Sequence, residues 1–149
     1  AIIMARARRP VVTTLQLAEI VAAVVRPRQR ESFRHPATRT FQAIRIHINQ
    51  ELKELSITLP QSVELLSVGG RLVVISFHSL EDRLVKQFIQ RETSAPSLPR
   101  QIPLRQEELQ RWGKQKLKWI GKIRPGPDEL KNNPRARSAI MRVAERIAQ

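Results

Sequence analysis

Residues 69–83 constrain the fold more than any other stretch. Gly69-Gly70 ends a helical pattern, and Arg71-Leu72-Val73-Val74-Ile75-Ser76-Phe77 follows. Four consecutive residues here are apolar and three of those are β-branched, the pattern of a strand buried on both faces of a parallel sheet. Ser79-Leu80-Glu81-Asp82 then predicts the capped start of a helix, with Leu84, Val85, Phe88 and Ile89 on its apolar side. Helix, Gly-Gly turn, buried strand and capped helix make an α/β unit.

The flanking segments extend this reading. Ala1-Ile2-Ile3-Met4-Ala5 is apolar, runs into Arg6, Arg8 and Arg9, and stops at Pro10. A chain that opens inside a helix is expected to be part of a longer one. Thr13 opens a second helix: Gln16 stands where a capping box needs it, and Leu17, Ile20, Val21 and Val24 follow at helical spacing. Residues 26–36 are basic, contain Pro27 and Pro36, and predict a linker. One long helix is expected from Thr38, with Phe41, Ile44, Ile48, Leu52 and Leu55 on one face. Pro60 suits the first turn of a short helix after it. Residues 93–116 are irregular, with a short helix at 107–112. Strands are expected at Leu117 to Ile123 and Ala139 to Ile147, as an antiparallel pair at a sheet edge. Pro125-Gly126-Pro127 forces a turn, and a loop or short helix spans 128–138.

Charge narrows the partners. Lys and Arg number 27 against 13 Asp and Glu, a formal net charge of +14. Arginine dominates, and its planar fork binds phosphate and stacks on bases. The expected partner is a polyanion, most simply nucleic acid. The core has to be aliphatic, since 41% of residues are hydrophobic but only 4% aromatic. With no cysteine and three scattered histidines (His35, His47, His78), no metal site is expected. No apolar run approaches the roughly 20 residues that span a bilayer. The helix at 13–25 lacks the basic face of a membrane-surface helix. A cytoplasmic location is expected.

Three constellations could carry chemistry. Ser76, Phe77 and His78 stand at the carboxyl end of the strand, where ligands of open α/β sheets bind. Ser, His and two carboxylates occur there together, but their spacing places them on one turn, which excludes a catalytic triad. Glu81 and Asp82 suit a helix N-terminus on electrostatic grounds alone. For His78 a substrate-side role competes with a structural hydrogen bond. Arg34, His35, Arg39 and Arg45 surround a helix start, where free N–H groups reinforce an anion site; the alternative is a solvated linker. Arg135 and Arg137 either hold phosphate or are simply solvated. The glycines, at 69, 70, 113, 121 and 126, are not spaced to cradle a nucleotide. No cofactor-binding residue is expected in this chain.

His35-Pro36-Ala37-Thr38-Arg39-Thr40-Phe41-Gln42-Ala43-Ile44-Arg45-Ile46, the Gly69 to Arg83 stretch, and Asn133-Pro134-Arg135-Ala136-Arg137-Ser138 with Arg142-Val143-Ala144-Glu145-Arg146 occur in this order. Together they resemble the 16S ribosomal RNA cytosine-N4 methyltransferases, along essentially the whole chain. The resemblance implies an α/β fold: the C-terminal part of a class I (Rossmann-like) methyltransferase sheet, plus the end of an inserted helical domain. It places the helical insertion at residues 1–34 and the returning methyltransferase domain at 35–149. It implies use of S-adenosylmethionine and a target in 16S rRNA of the small ribosomal subunit. Ser76, Phe77 and His78 would line the target-base site, and the cations named above would contact RNA. The family's donor-binding loop precedes its helical insertion and matches nothing here. The chain is therefore expected to be a C-terminal half, inactive alone, whose partners are the missing N-terminal half or another copy of itself. A non-catalytic basic RNA-binding module is the alternative.

Overall fold

The computed structural model describes residues 1–25, 35–94 and 115–148. Most of the expected linker, Arg34, and the helix expected at 107–112 lie outside the described residues. The chain forms two compact units, Ala1–Glu51 and Leu52–Gln149.

The first unit is helical. α1 spans Ile2–Arg8, α2 Thr14–Val24 and α3 Thr38–Ile48. The capping box of α2 forms: Thr13 Oγ1 accepts from the Gln16 N–H at 3.2 Å, and the Gln16 side chain accepts from the Thr13 N–H. The long helix expected from Thr38 is broken. α3 ends at Ile48, and α4 spans Glu51–Leu65. The break falls at Gln50, whose φ of 54° is left-handed and cannot continue a right-handed helix. Side-chain bonds support the turn: Gln50 Nε2 donates to the His47 carbonyl at 2.6 Å, and Asn49 Nδ2 donates to Glu51 at 3.3 Å.

Pro60 differs from expectation. It sits inside α4 rather than at the first turn of a new helix. It removes the N–H that would donate to the Ser56 carbonyl. The helix persists because Leu59 and Val63, either side of the proline, are both 2% exposed within the core. Burying such side chains contributes about 1.5–3 kcal/mol each, comparable to the roughly 3 kcal/mol cost of an interior proline.

In the second unit β1 is Arg71–Ser76, α5 Ser79–Thr93, β2 Leu117–Ile123, α6 Pro127–Asn132 and β3 Ile140–Arg146, with a 3-10 turn at Pro134–Ser138. The sheet order is β1-β3-β2, antiparallel at both pairings. β3 therefore lies between its neighbours, and the carboxyl ends of β1 and β2 share one edge. One sheet face carries Leu72, Ala144 and Leu117, which pack with Leu59 and Val63 of α4 and with Val85, Phe88 and Ile89 of α5. The other face is open. Val73 and Ile75 are 52% and 55% exposed. The expectation of a strand buried on both faces of a parallel sheet is thus corrected: among the described residues β1 has one covered face and one neighbour, which is antiparallel.

Glycine is required where α4 turns into β1. Gly69 has φ of 84°, and a Cβ on Gly70 would stand 2.8 Å from the Ser67 carbonyl oxygen. The turn is locked to β3 by Gly69 N–H to the Arg146 carbonyl (2.7 Å) and Arg146 N–H to the Gly70 carbonyl (2.8 Å).

Candidate nucleic-acid interface

The three strand-end residues point to different places. Ser76 is 2% exposed on the covered face, and its hydroxyl has no hydrogen-bond partner among the described residues. Phe77, 55% exposed, turns its ring outward. His78 is the N-cap of α5, a place the sequence reading assigned to Ser79. Its Nδ1 accepts from the Glu81 N–H at 3.3 Å, while one Glu81 carboxylate oxygen accepts from the N–H groups of Phe77 (3.0 Å) and His78 (3.2 Å). An imidazole that accepts at Nδ1 carries its proton at Nε2. That buried Nε2 lies 3.2 Å from the other Glu81 oxygen, outside hydrogen-bond geometry. This local lattice fixes the backbone on which Phe77 is displayed.

Phe77 faces a cleft of about 340 Å³ at the shared carboxyl edge. Ile75, Ile123 and Met141, all from the open sheet face, make its apolar floor, and Arg124, Glu129 and Asn133 bring polar groups to it. Ala136 also lines it, and its sequence neighbours Arg135 and Arg137 are exposed. Its volume lies at the small end of the ligand-pocket range of about 300–1,000 Å³.

Two arginines on the covered face escaped sequence reasoning as structural elements. Arg142 Nε and Nη2 donate to the two Asp82 oxygens at 2.7 and 3.0 Å, with side-chain exposures of 8% and 17%. Arg142 also lies 5.8 Å from the centroid of the Trp119 ring, within cation–π range. The hydrogen bonds from Arg142 hold the Asp82 carboxyl below the ordinary carboxylate range, against the opposing effect of its burial. Arg146 Nη1 donates to the carbonyls of Val63, Glu64 and Leu66, capping the end of α4, and its Nε donates to Ala148. The one available signal was the β-strand alternation of Ile140, Arg142, Ala144 and Arg146, which puts two arginines on the core-facing side. Asp82 and the carbonyls at the end of α4 lie 60 and more residues away from them, so no local pattern identifies these pairings.

In the first unit, His35, Thr38, Phe41, Gln42 and Arg45 line an open cleft of about 550 Å³ along α3. His35 Nδ1 accepts from the Ala37 N–H at 3.2 Å, and Thr38 Oγ1 donates to the His35 carbonyl at 2.7 Å. Arg45 forms a two-pronged pair with Glu51, at 2.8 and 3.1 Å. Arg39 is exposed on the same helix. The sequence-predicted cations thus form two groups, one in each unit.

A model of the MraW methylase family matches residues 1–147. The chain is 66% identical to the ribosomal RNA small subunit methyltransferase H of Nitrosomonas eutropha, 64% to that of Nitrosomonas europaea and 61% to that of Nitrosospira multiformis. Each alignment covers 99% of this chain and 47% of the relative, so the chain spans about half the length of the curated relatives it matches. Its α/β fold is a part of a Rossmann-like methyltransferase sheet with adjoining helices. The chain belongs to the MraW methylase family.

Proposed function

We propose that the protein carrying this chain transfers a methyl group from S-adenosylmethionine to N4 of a cytosine in 16S rRNA of the small ribosomal subunit, in the cytoplasm. The observation that carries this reading is the cleft at the carboxyl edge of β1 and β2, lined by an exposed aromatic ring and by Arg124. The name of the relatives, ribosomal RNA small subunit methyltransferase H, accords with it. An exocyclic amine whose lone pair is delocalised into the ring is a poor nucleophile. Its methylation requires a base flipped out of its stack and an in-line approach of the methyl group. Phe77 supplies the stacking ring, while His78 caps the helix at the strand-to-helix turn beneath it and Ser76 is buried on the covered face. Arg34, His35, Arg39, Arg45, Arg135 and Arg137 contact the RNA.

On this proposal the methyl donor is held outside the described residues. Gly126 alone lies between a strand and a helix there, and Pro125 and Pro127 flank it, removing two backbone N–H donors. Asp82 is engaged by Arg142 and Glu81 by the helix cap, so neither is available to a ribose. The donor-binding residues belong, on this proposal, to a preceding half of the protein. Residues 1–34 close an inserted helical domain, and 35–149 return to the methyltransferase domain.

The test is to methylate undermodified small ribosomal subunits with the full-length protein and digest the rRNA to nucleosides. N4-methylcytidine should appear with the parent protein and fall at least tenfold with Phe77→Ala. A product methylated at any other atom would overturn the reading.

A further inference from the structure

The cleft carries more chemistry than a stacking surface. Glu129 and Asn133 are four residues apart at the end of α6, a spacing that turns both to one side of a helix. The Asn133 N–H donates to the Glu129 carbonyl at 2.6 Å, which fixes this last turn, and both residues line the cleft. Both are exposed. Neither side chain is engaged in a hydrogen bond or ion pair among the described residues, although the protein carries a large excess of cations. An uncompensated carboxylate beside a carboxamide, above a floor of Ile75, Ile123 and Met141 and next to the Phe77 ring, is an arrangement with both acceptors and donors.

We infer that this cleft reads the edge of the target pyrimidine, with Glu129 and Asn133 as its specificity-determining residues. The inference rests on the reading of the protein as an RNA methyltransferase and names residues that this reading leaves unassigned. Cytosine offers an amine donor at N4 and acceptors at N3 and O2. A carboxylate accepts from the amine, as acidic side chains do when they read cytosine. The carboxamide N–H₂ of Asn133 donates to N3 or O2. Uracil reverses two of these groups: it puts a carbonyl oxygen where the amine would be and an N–H at N3. Glu129 would then face an acceptor, and its contact would be lost. Phe77 grips either ring, since stacking is tolerant of base identity. Arg124 lines the same cleft, so the adjoining phosphates meet positive charge on that side.

The experiment uses the full-length protein and an rRNA fragment carrying 5-iodocytidine at the methylated position. Irradiation should cross-link the fragment to peptides containing Phe77 or residues 124–141, and the yield should drop in Phe77→Ala. In parallel, binding of fragments with cytosine or uracil at that position should show the parent favouring cytosine. Glu129→Gln should lower that preference about tenfold, the discrimination supplied by one base-edge contact, and Asn133→Ala should weaken cytosine binding with donor affinity unchanged. Because Glu129 and Asn133 are exposed, these variants keep the fold, which a thermal melt verifies. Cross-links that map elsewhere, or a cytosine preference that survives Glu129→Gln, would overturn the inference. Nucleoside analysis of the product separates the two readings. If the methylated nucleoside is not N4-methylcytidine, the proposed function fails, while the cross-link map still decides whether a pyrimidine occupies the cleft.

Discussion

Arg142 and Asp82 illustrate how much a single pair can decide. Two charges this well covered are stabilising only while both are present, because removing one leaves the other desolvated. Asp82→Ala is expected to cost about 3 kcal/mol, measured as a lower denaturation midpoint in urea. The pH dependence follows from the depressed Asp82 carboxyl. Once the pH drops below about 4, the unfolded chain takes up a proton that the folded chain still refuses. The contribution of the pair is complete above that pH and is lost as the pH falls through the lower value of the folded state. Acid melts of Asp82→Asn should lack this component; an unchanged acid transition would show that the pair does not govern it. Arg146→Lys tests the other buried guanidinium. An ammonium lacks the planar fork and leaves part of the carbonyl set at the end of α4 unmet. The expected loss is about 1–3 kcal/mol, read in the same melts.

At the scale of elements, the links between strand and helix are more constrained than the helices themselves. Gly69→Ala forces a side chain into a left-handed conformation, at roughly 1–2 kcal/mol. Gly70→Ala adds a Cβ 2.8 Å from a backbone oxygen and should cost at least as much. Both are checked by thermal unfolding. Glu81→Ala removes the acceptor of two N–H groups at the start of α5, for about 1 kcal/mol by analogy with lost caps. It also loosens the backbone that displays Phe77, so amide exchange at Phe77 and His78 should quicken. The capping box of α2 was legible because both its members lie within one turn. The His78 cap was missed because Ser79 is the commoner capping residue; the choice between them depends on which backbone leaves the strand, which residue types do not reveal.

For the molecule as a whole, the open sheet face dominates expectations. Val73, outside the cleft, is more than half exposed, and β1 has no strand on its outer edge among the described residues. Such edges invite pairing. The 149-residue chain expressed alone should self-associate in sedimentation, and coexpression with the remaining half of a full-length relative should replace those assemblies by a one-to-one complex. Arg135→Ala combined with Arg137→Ala should weaken RNA binding and flatten its salt dependence by about 0.7 per lost phosphate contact in log–log slope. A slope equal to that of the parent would remove these arginines from the RNA path.

What the sequence determined by itself was local or periodic: β1 from its apolar run, β2 to the residue, the Thr13 box, the Gly-Gly turn and the basic character of the surface. These depend on neighbours within one turn or on alternation along a strand. Only the tertiary structure decided that Pro60 stays inside a helix, that β3 separates β1 from β2, and that Arg142 and Arg146 face inward to partners far along the chain. It also decided which of three consecutive residues reaches the cleft: Phe77 does, while Ser76 and His78 are turned into the scaffold. Each of those outcomes depends on contacts between residues distant in sequence, whose free energy outweighs the local preference that the sequence displays.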